Sequence, residues 1–549
     1  MASRSSDPEQ PELSFFAKNS SDEIGSVREL LIDRKPSRED YTVTAAILPF
    51  FFPALGGLLY GYDIGATSGA QISIKPVTLT IRLFSFASTA LVETGLAGFA
   101  TLKVLCADAR LLSSLISPTL SGITWYNLSS VELGLIVSGS LYGALIGSIL
   151  AFTVADYLGR RRELILSATM YLVGAIVTSI APDFAIMVIG RFLYGIGIGL
   201  FLSMMLRSHS STKCNYVLYK HWNSWGWDIW KPDGAKSLVQ LGYVVGSLEI
   251  DISGGWRYMY ATSAPISLIM GIGMWWLPPS PRWLLLCAIQ GKGRVQDARE
   301  TAINCLCVLR GPAIGDSAPV LIDEILTEVS CACEEKETSI TDVFRGKCLK
   351  ALIIGAGLVL FQQITGQPSV LYYAAAILQS AGFSAASDAT RVSILLGLLK
   401  LIMTGVAVVA VDKLGRRPLL LGGVSGIVIS LFLLASYYTV LSSAPAVAVV
   451  ALLLYVGCYQ LSFGPIGWLM ISEIFPLRLR GRGLSIAVLV NFAANALVTF
   501  AFSPLQSLLG AGILFVLFGV IAILSLIFIF FVVPETKGLT LEEIEAKIL

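Results

Sequence analysis

The sequence predicts an all-α membrane protein with twelve spanning helices in two halves of six. Three observations carry that expectation. The chain of 549 residues is 55% hydrophobic and only 14% charged, with a mean hydropathy of +0.74; soluble domains average about a quarter charged. Twelve apolar runs are long enough to cross a bilayer, which takes about 20 helical residues each. One polar turn occurs twice, as VADYLGRRRELI from Val154 and as AVDKLGRRPLLL from Ala410, close to half the chain apart. Each copy sets an acid (Asp156, Asp412), a glycine (Gly159, Gly415) and an arginine pair (Arg160 and Arg161, Arg416 and Arg417) between apolar runs. A duplicated membrane unit has that signature. Glycine permits the tight turn, and clustered arginine holds it on the cytoplasmic side.

Residues 1–40 are polar, mixed in charge and without an apolar signal core, and they read as a disordered cytosolic tail. Their acids, Asp7, Glu9, Glu12, Asp22 and Glu23, argue against a transit peptide. Runs near 42–67, 131–154, 163–181, 184–206, 235–250 (the weakest) and 258–277 make an N-terminal half over 41–280. The polar stretch 281–348 carries Asp323, Glu324 and Glu328 at helical spacing, and reads as a cytoplasmic linker of short surface helices. Runs near 350–378, 392–411, 418–440, 445–470, 483–507 and 509–533 make a C-terminal half over 349–533, followed by a cytosolic tail, 534–549. With both termini cytosolic, Arg160–Arg162, Arg416, Arg417, Arg478, Arg480 and Arg482 all fall on the cytosolic side. Two C-x-C pairs, Cys305 with Cys307 and Cys331 with Cys333, have no histidine nearby, so no metal site is expected. Nothing resembles a nucleotide-binding loop. The net charge of +2 gives no reason to expect a nucleic-acid partner.

Polar groups inside apolar runs are the candidate functional residues. Asp63 lies deep in GGLLYGYDIG. An ionised carboxylate near mid-bilayer costs about 2.5–3.5 kcal/mol, so it needs a partner, a proton or a water-filled cavity, unless it sits in headgroup water at a helix end. Arg191 in GRFLYGIGIG is a candidate partner, and Gly195, Gly197 and Gly199 let that helix pack closely on a neighbour. In FQQITGQPSVLYY, Gln362 and Gln363 offer donors and acceptors that suit several hydroxyls, or that glue two helices together. Pro368 interrupts this helix, freeing backbone groups that are tolerable beside a cavity. Trp468, in GPIGWLMISEIFPLRLRG, offers either a flat face for a sugar ring or an interfacial anchor. Its place well inside the Glu473–Arg480 boundary favours the first.

Together these motifs resemble the sugar porter branch of the major facilitator superfamily, nearest to plant transporters related to bacterial xylose–proton symporters, over nearly all of the chain. The resemblance implies secondary transport, not an enzyme: alternating access for a monosaccharide, hexose or pentose such as glucose or xylose, with the proton as coupling ion and no other cofactor. A facilitative uniporter, a non-transporting sugar sensor and an inactive variant are the alternatives; the short tail after Lys537 counts against a sensor. The resemblance makes Asp63 and Arg191 a proton-linked pair, and Gln362, Gln363 and Tyr372 sugar contacts. Pro368 replaces a usual asparagine contact, with Gln367 beside it as a substitute. Asn491, Phe492 and Asn495 stand where the family often has glutamine, tryptophan and asparagine, and Tyr60 would line the same cavity. Asp156 and Arg160, with Asp412, Arg416, Glu473 and Arg480, match inner-gate charges. Lys400 stands where a sugar-binding asparagine is common, and no role is assigned to it. PPSPRW at Pro278 and PETKG at Pro534 resemble the signatures after the sixth and twelfth spans, expected to cap helices. The expected setting is a monomer in the lipid bilayer of the vacuolar or the plasma membrane, with Asn127 a glycosylation acceptor on the outer side.

Two segments depart from the pattern. The stretch 75–116 is longer than the resemblance implies and reads as a surface or re-entrant insertion, since Glu93 and Lys103 count against a span. The stretch 203–240, with Trp222, Trp225, Trp227 and Trp230, replaces an expected gate loop and the start of the fifth helix. It reads as an altered exon or mistaken gene model, and a chain so altered is expected to transport poorly.

Overall fold

The computed structural model describes residues 43–74, 128–210, 239–250, 252, 254–292, 294–310, 317–334, 344, 346–382, 386–440, 444–475, 480–539 and 543–544. The N-terminal tail, the 75–116 insertion, Asn127 and most of 203–240 lie outside these residues, as do the side chains of Asp156, Arg480, Cys331 and Cys333.

Helices account for all the regular structure among the described residues. They are α1 (Val43–Ser73), α2 (Ser130–Leu158), α3 (Arg160–Ile180), α4 (Phe184–Ser210), α5 (Val239–Glu249), α6 (Gly255–Ala261), α7 (Ser263–Trp276), α8 (Pro281–Cys287), α9 (Val295–Arg310) and α10 (Ala318–Glu334). There follow α11 (Gly346–Ile364), α12 (Gln367–Tyr372), α13 (Ala374–Ser380), α14 (Ala386–Leu414), α15 (Arg416–Thr439), α16 (Pro445–Leu461), α17 (Phe463–Ile474), α18 (Arg480–Leu509) and α19 (Ala511–Val532). Among the described residues, nine stretches are long and apolar enough to cross a membrane. The other three expected runs coincide with α1, with α5, and with α6 and α7 in sequence.

By contact the chain falls into two compact units. One is drawn from the described parts of 1–53, 154–163 and 272–338. It holds the first arginine turn and the linker, where α8, α9 and α10 pack on one another around Leu285, Ala302, Cys305, Ala318 and Ile322. Arg299 and Asp323 join α9 to α10 through two bonds of 2.6 and 2.7 Å. That pair is about a third exposed, and such bridges contribute about 1 kcal/mol or less. The linker is therefore helical, as its spacing implies. Cys305 and Cys307 are free, and burial pushes the Cys305 thiol up in pKa against the pull of Arg161.

The second unit, 54–153, 164–271 and 339–549, is the helical bundle. Glycines set its helix register. A Cβ on Gly143, Gly195 or Gly199 would stand 2.0–2.2 Å from a carbonyl oxygen across the α2–α4 contact, so only hydrogen fits there. Gly197 instead faces Ser167 and Tyr171 on α3, so the alternating glycines of α4 serve two neighbours rather than one. Gly65 and Gly242 bring α1 onto α5 in the same way.

Two spans are broken rather than continuous. Between α11 and α12, Gly366 takes φ +94° and Pro368 sits in the first turn of the new helix, where its missing N–H costs nothing. Between α16 and α17 the break falls at Ser462, ahead of Gly464 and Pro465.

Candidate functional site

The register fixed by the glycines brings α1, α2 and α4 together around one ion pair. Arg191 Nη1 bonds Asp63 Oδ1, and Nη2 lies 3.4 Å from Asp63 Oδ2 and 3.1 Å from Ser140 Oγ. Ser140 in turn donates to Asp63 Oδ2 at 2.9 Å, while Arg191 Nε donates to the Ile136 carbonyl at 3.2 Å. The two charged side chains are 2% and 1% exposed, which removes the headgroup reading of Asp63. Tyr260 lies beneath the guanidinium, its ring centroid 5.0 Å from Cζ. Such a pair is stable only while both charges remain: removing one partner typically costs about 3–5 kcal/mol.

A second polar cluster lies at the broken spans. Gln362 Nε2 donates to the Phe463 carbonyl at 2.7 Å, in the first turn of α17 next to the α16–α17 break. Gln363 Nε2 donates to Asn491 Oδ1 at 2.7 Å, bridging α11 to α18. Both glutamines thus act partly as helix glue. Gln363 Oε1 has no partner among the described residues, and the same holds for Nε2 of the buried Gln460. An acceptor and a donor therefore remain for a polyhydroxyl ligand. Trp468 is 6% exposed, too buried for an interfacial anchor. The Phe492 ring meets Tyr60 edge-on at 6.5 Å, and Asn495 Oδ1 accepts from Thr499 at 3.3 Å. Tyr372 is buried, Gln367 is half-buried, and the Lys400 side chain is buried within α14.

The break at α12 and α13 is closed by side chains from the other half of the sequence. Gln71 Nε2 donates to the Tyr372 carbonyl at 2.8 Å, Tyr243 OH to the Leu371 carbonyl at 2.8 Å, and the Ala375 N–H to Ser68 Oγ at 3.2 Å. These bonds lie near the start of α14, at the end of that helix away from the second arginine turn. At the other end, Arg416 Nη2 donates to Glu473 Oε1 at 3.0 Å, and its Nη1 lies 3.8 Å from an exposed Asp412. Glu473 Oε2 also accepts from Thr536 Oγ1 at 2.6 Å. Three of the expected inner-gate residues, Asp412, Arg416 and Glu473, are thus in contact. Arg160 begins α3, in the linker unit.

The tail signature caps a helix, as the sequence led us to expect. Glu535 accepts the N–H groups of Arg416 and Arg417, at 3.1 and 3.0 Å, at the start of α15. Burial pushes the Glu535 carboxyl up, but four backbone N–H bonds, from Lys537, Arg417, Arg416 and Thr536, outweigh it and hold the group below the usual carboxylate range. Sequence reasoning missed Ser68, Gln71, Ser140, Tyr243, Tyr260 and Gln460. Their only signal was a polar atom on an otherwise apolar run, and such atoms are too common to single out.

The model of the family "Sugar (and other) transporter" matches residues 50–548. The chain is 61% identical to "D-xylose-proton symporter-like 2" of Arabidopsis thaliana, over 99% of both chains. It is 54% identical to "D-xylose-proton symporter-like 3, chloroplastic" of the same plant, over 96% of this chain and 86% of that one. Among solved structures it is similar to the major facilitator superfamily proton:xylose symporter XylE, bound to 6-bromo-6-deoxy-D-glucose, at 25% identity and a TM-score of 0.65, covering 93% of this chain and 100% of that one.

Proposed function

The chain belongs to the sugar transporter family and has the major facilitator fold, and we propose that it moves a monosaccharide together with a proton by alternating access. The carrying observation is the Asp63–Arg191 pair, buried in the bundle and triangulated by Ser140. A carboxylate so placed is neutral when protonated and re-forms its ion pair when the proton leaves, so proton loading changes the charge inside the bundle. Xylose–proton names among the relatives support the same reading. Sugar is bound at Gln362, Gln363, Gln367, Tyr372, Trp468, Asn491, Phe492, Asn495 and Tyr60, with Gln363 Oε1 as an available acceptor. Asp412, Arg416, Glu473 and Arg480 serve as the inner-gate charges of the C-terminal half, and Asp156 and Arg160 as those of the N-terminal half. The host is the vacuolar or the plasma membrane; fluorescent tagging in plant cells decides between these and the plastid envelope.

Purified protein in liposomes tests the proposal, by uptake of labelled glucose and xylose with and without a pH gradient. One proton across about 100 mV contributes about 2.3 kcal/mol and each pH unit about 1.4 kcal/mol, enough for a sugar gradient of about several hundredfold. Asp63→Asn should abolish accumulation while sugar exchange persists; a variant that still concentrates sugar removes Asp63 from coupling. Gln363→Ala should weaken sugar binding about 5- to 150-fold, the loss of one buried partner.

A further inference from the structure

Beside the ion pair lies a small cavity. It is bounded by Asp63 of α1, Ala175 and Thr178 of α3, Arg191 of α4, Tyr260 of α6 and Ser263 of α7. Its volume at the centre of a water-sized sphere is about 10 Å³, the room one buried water takes. A water is retained only where two to four polar groups meet it, and they are present. Of the five guanidinium N–H groups, Nε is spent on Ile136, both hydrogens of Nη2 on Asp63 and Ser140, and one hydrogen of Nη1 on Asp63. The second Nη1 hydrogen is left over. Tyr260 lines the same cavity and is 5% exposed, and its hydroxyl has no hydrogen-bond partner among the described residues. It is near enough to Thr67 to feel its hydroxyl without meeting it in bonding geometry.

We propose that this cavity is a single-water site which shares the coupling proton with Asp63, the Tyr260 hydroxyl being the water's second anchor. The proposal rests on the proton-coupled reading above. On release, the proton passes from the Asp63 carboxyl to the water. The water gives one of its own protons up to the solvent when the site opens and stays neutral on its Arg191 and Tyr260 anchors, and the carboxylate is left to Arg191 and Ser140. Loading runs in reverse, and no other bond is made or broken. The groups that line this cavity are Asp63 and Tyr62 from α1, Arg191 and Tyr194 from α4, and Tyr260 from α6, while α3 and α7 offer only the neutral Thr178 and Ser263. Tyr62 and Tyr194 already donate to the Met259 and Leu59 carbonyls, which leaves Tyr260 as the free hydroxyl. Ile72, Ile74, Ile136, Ala181, Met187 and Trp256 belong to one buried apolar cluster with Tyr62 and Tyr260.

Two variants test the site by different means. Tyr260→Phe removes the water's anchor, and Ala175→Val fills its space. In proteoliposomes each should lower the ratio of proton-driven accumulation to sugar exchange about 3- to 10-fold, the effect of one hydrogen bond. Infrared spectroscopy gives an independent readout. The C=O band of protonated Asp63, identified by its loss in Asp63→Asn, should shift in both variants. An unmoved ratio and band in both variants overturns the proposal. So does a fall of exchange in step with accumulation, which marks a merely structural role. Accumulation by Asp63→Asn would instead defeat the coupling reading itself, and that result is read without either cavity variant.

Discussion

The two arginine turns share a sequence pattern but not a chemistry. In both, a glycine with positive φ makes the corner: Gly159 at +76° and Gly415 at +97°. The second arginine of each pair donates to a carbonyl at the C-terminal end of its half's last helix, Arg161 to Trp275 in α7 and Arg417 to Phe530 in α19. Each cation thus sits on the negative end of a helix dipole. The segment after that helix covers the glycine in both halves, and there the two part. Over Gly159 lies the Trp283 ring, and over Gly415 the Glu535 carboxylate. In the register of PPSP against PETK, Pro279 stands where Glu535 stands. The first corner is therefore held by packing and the second by charge. Duplication preserved the backbone device and left the covering group free to diverge.

The largest expected effect separates the corners sterically. Gly159→Ala adds backbone strain of about 1–2 kcal/mol to a Cβ that would meet the Trp283 ring at 2.5 Å, an overpacking cost of about 1–3 kcal/mol. At Gly415 the Cβ would stand 3.1 Å from the Glu535 carboxylate, which has to give by only a few tenths of an ångström, so Gly415→Ala should add a smaller steric cost to the strain. Thermal unfolding in detergent measures both. Adding Trp283→Ala should return part of the Gly159→Ala loss, and no such coupling would break the packing half of the comparison.

Next in size is the carboxylate itself. Glu535→Ala removes the acceptor of the Arg416 and Arg417 N–H groups and should cost about 1–3 kcal/mol, while Pro279→Ala stays within about 0.5 kcal/mol. Equal losses at the two matched positions would show that the turns are held alike.

Acid gives a smaller, signed effect. The Glu535 carboxyl is held below its usual range in the folded protein, so its contribution is present above the unfolded pKa and lost as pH falls through the folded one. Glu535→Gln should therefore flatten the acid side of the stability–pH profile below about pH 4.3, the unfolded carboxyl's pKa, and leave the profile above it parallel to the parent's. An unchanged profile would remove the charge from the second corner.

The smallest effect tests what the turns share. Arg161→Ala and Arg417→Ala should each cost about 0.3–1 kcal/mol, as cations at helix C-termini do. Arg417 has a further contact, its Cζ 5.7 Å from the Phe530 ring centroid, so its loss should be the larger by a few tenths. A loss confined to one turn would end the claim of a common device.

The sequence by itself determined the bundle, the repeated turns and the identity of the two charges in the interior. Each of these is written locally: twenty apolar residues span whatever their neighbours are, and a charge inside such a run needs a counterpart wherever the chain supplies one. Pro368 likewise announced a broken helix. Tertiary structure decided who meets whom. Hydropathy carries no rotational register between helices; the contact of Gly143 with Gly195, and of Gly65 with Gly242, sets it, and the sequence names those glycines without pairing them. That register delivers Ser140 to Asp63, sends Gln71 and Tyr243 to the carbonyls freed at Leu371 and Tyr372, and occupies the amide nitrogen of Gln362 on Phe463 rather than on a ligand. It also leaves Tyr260, its hydroxyl without a partner among the described residues, lining a space the size of one water.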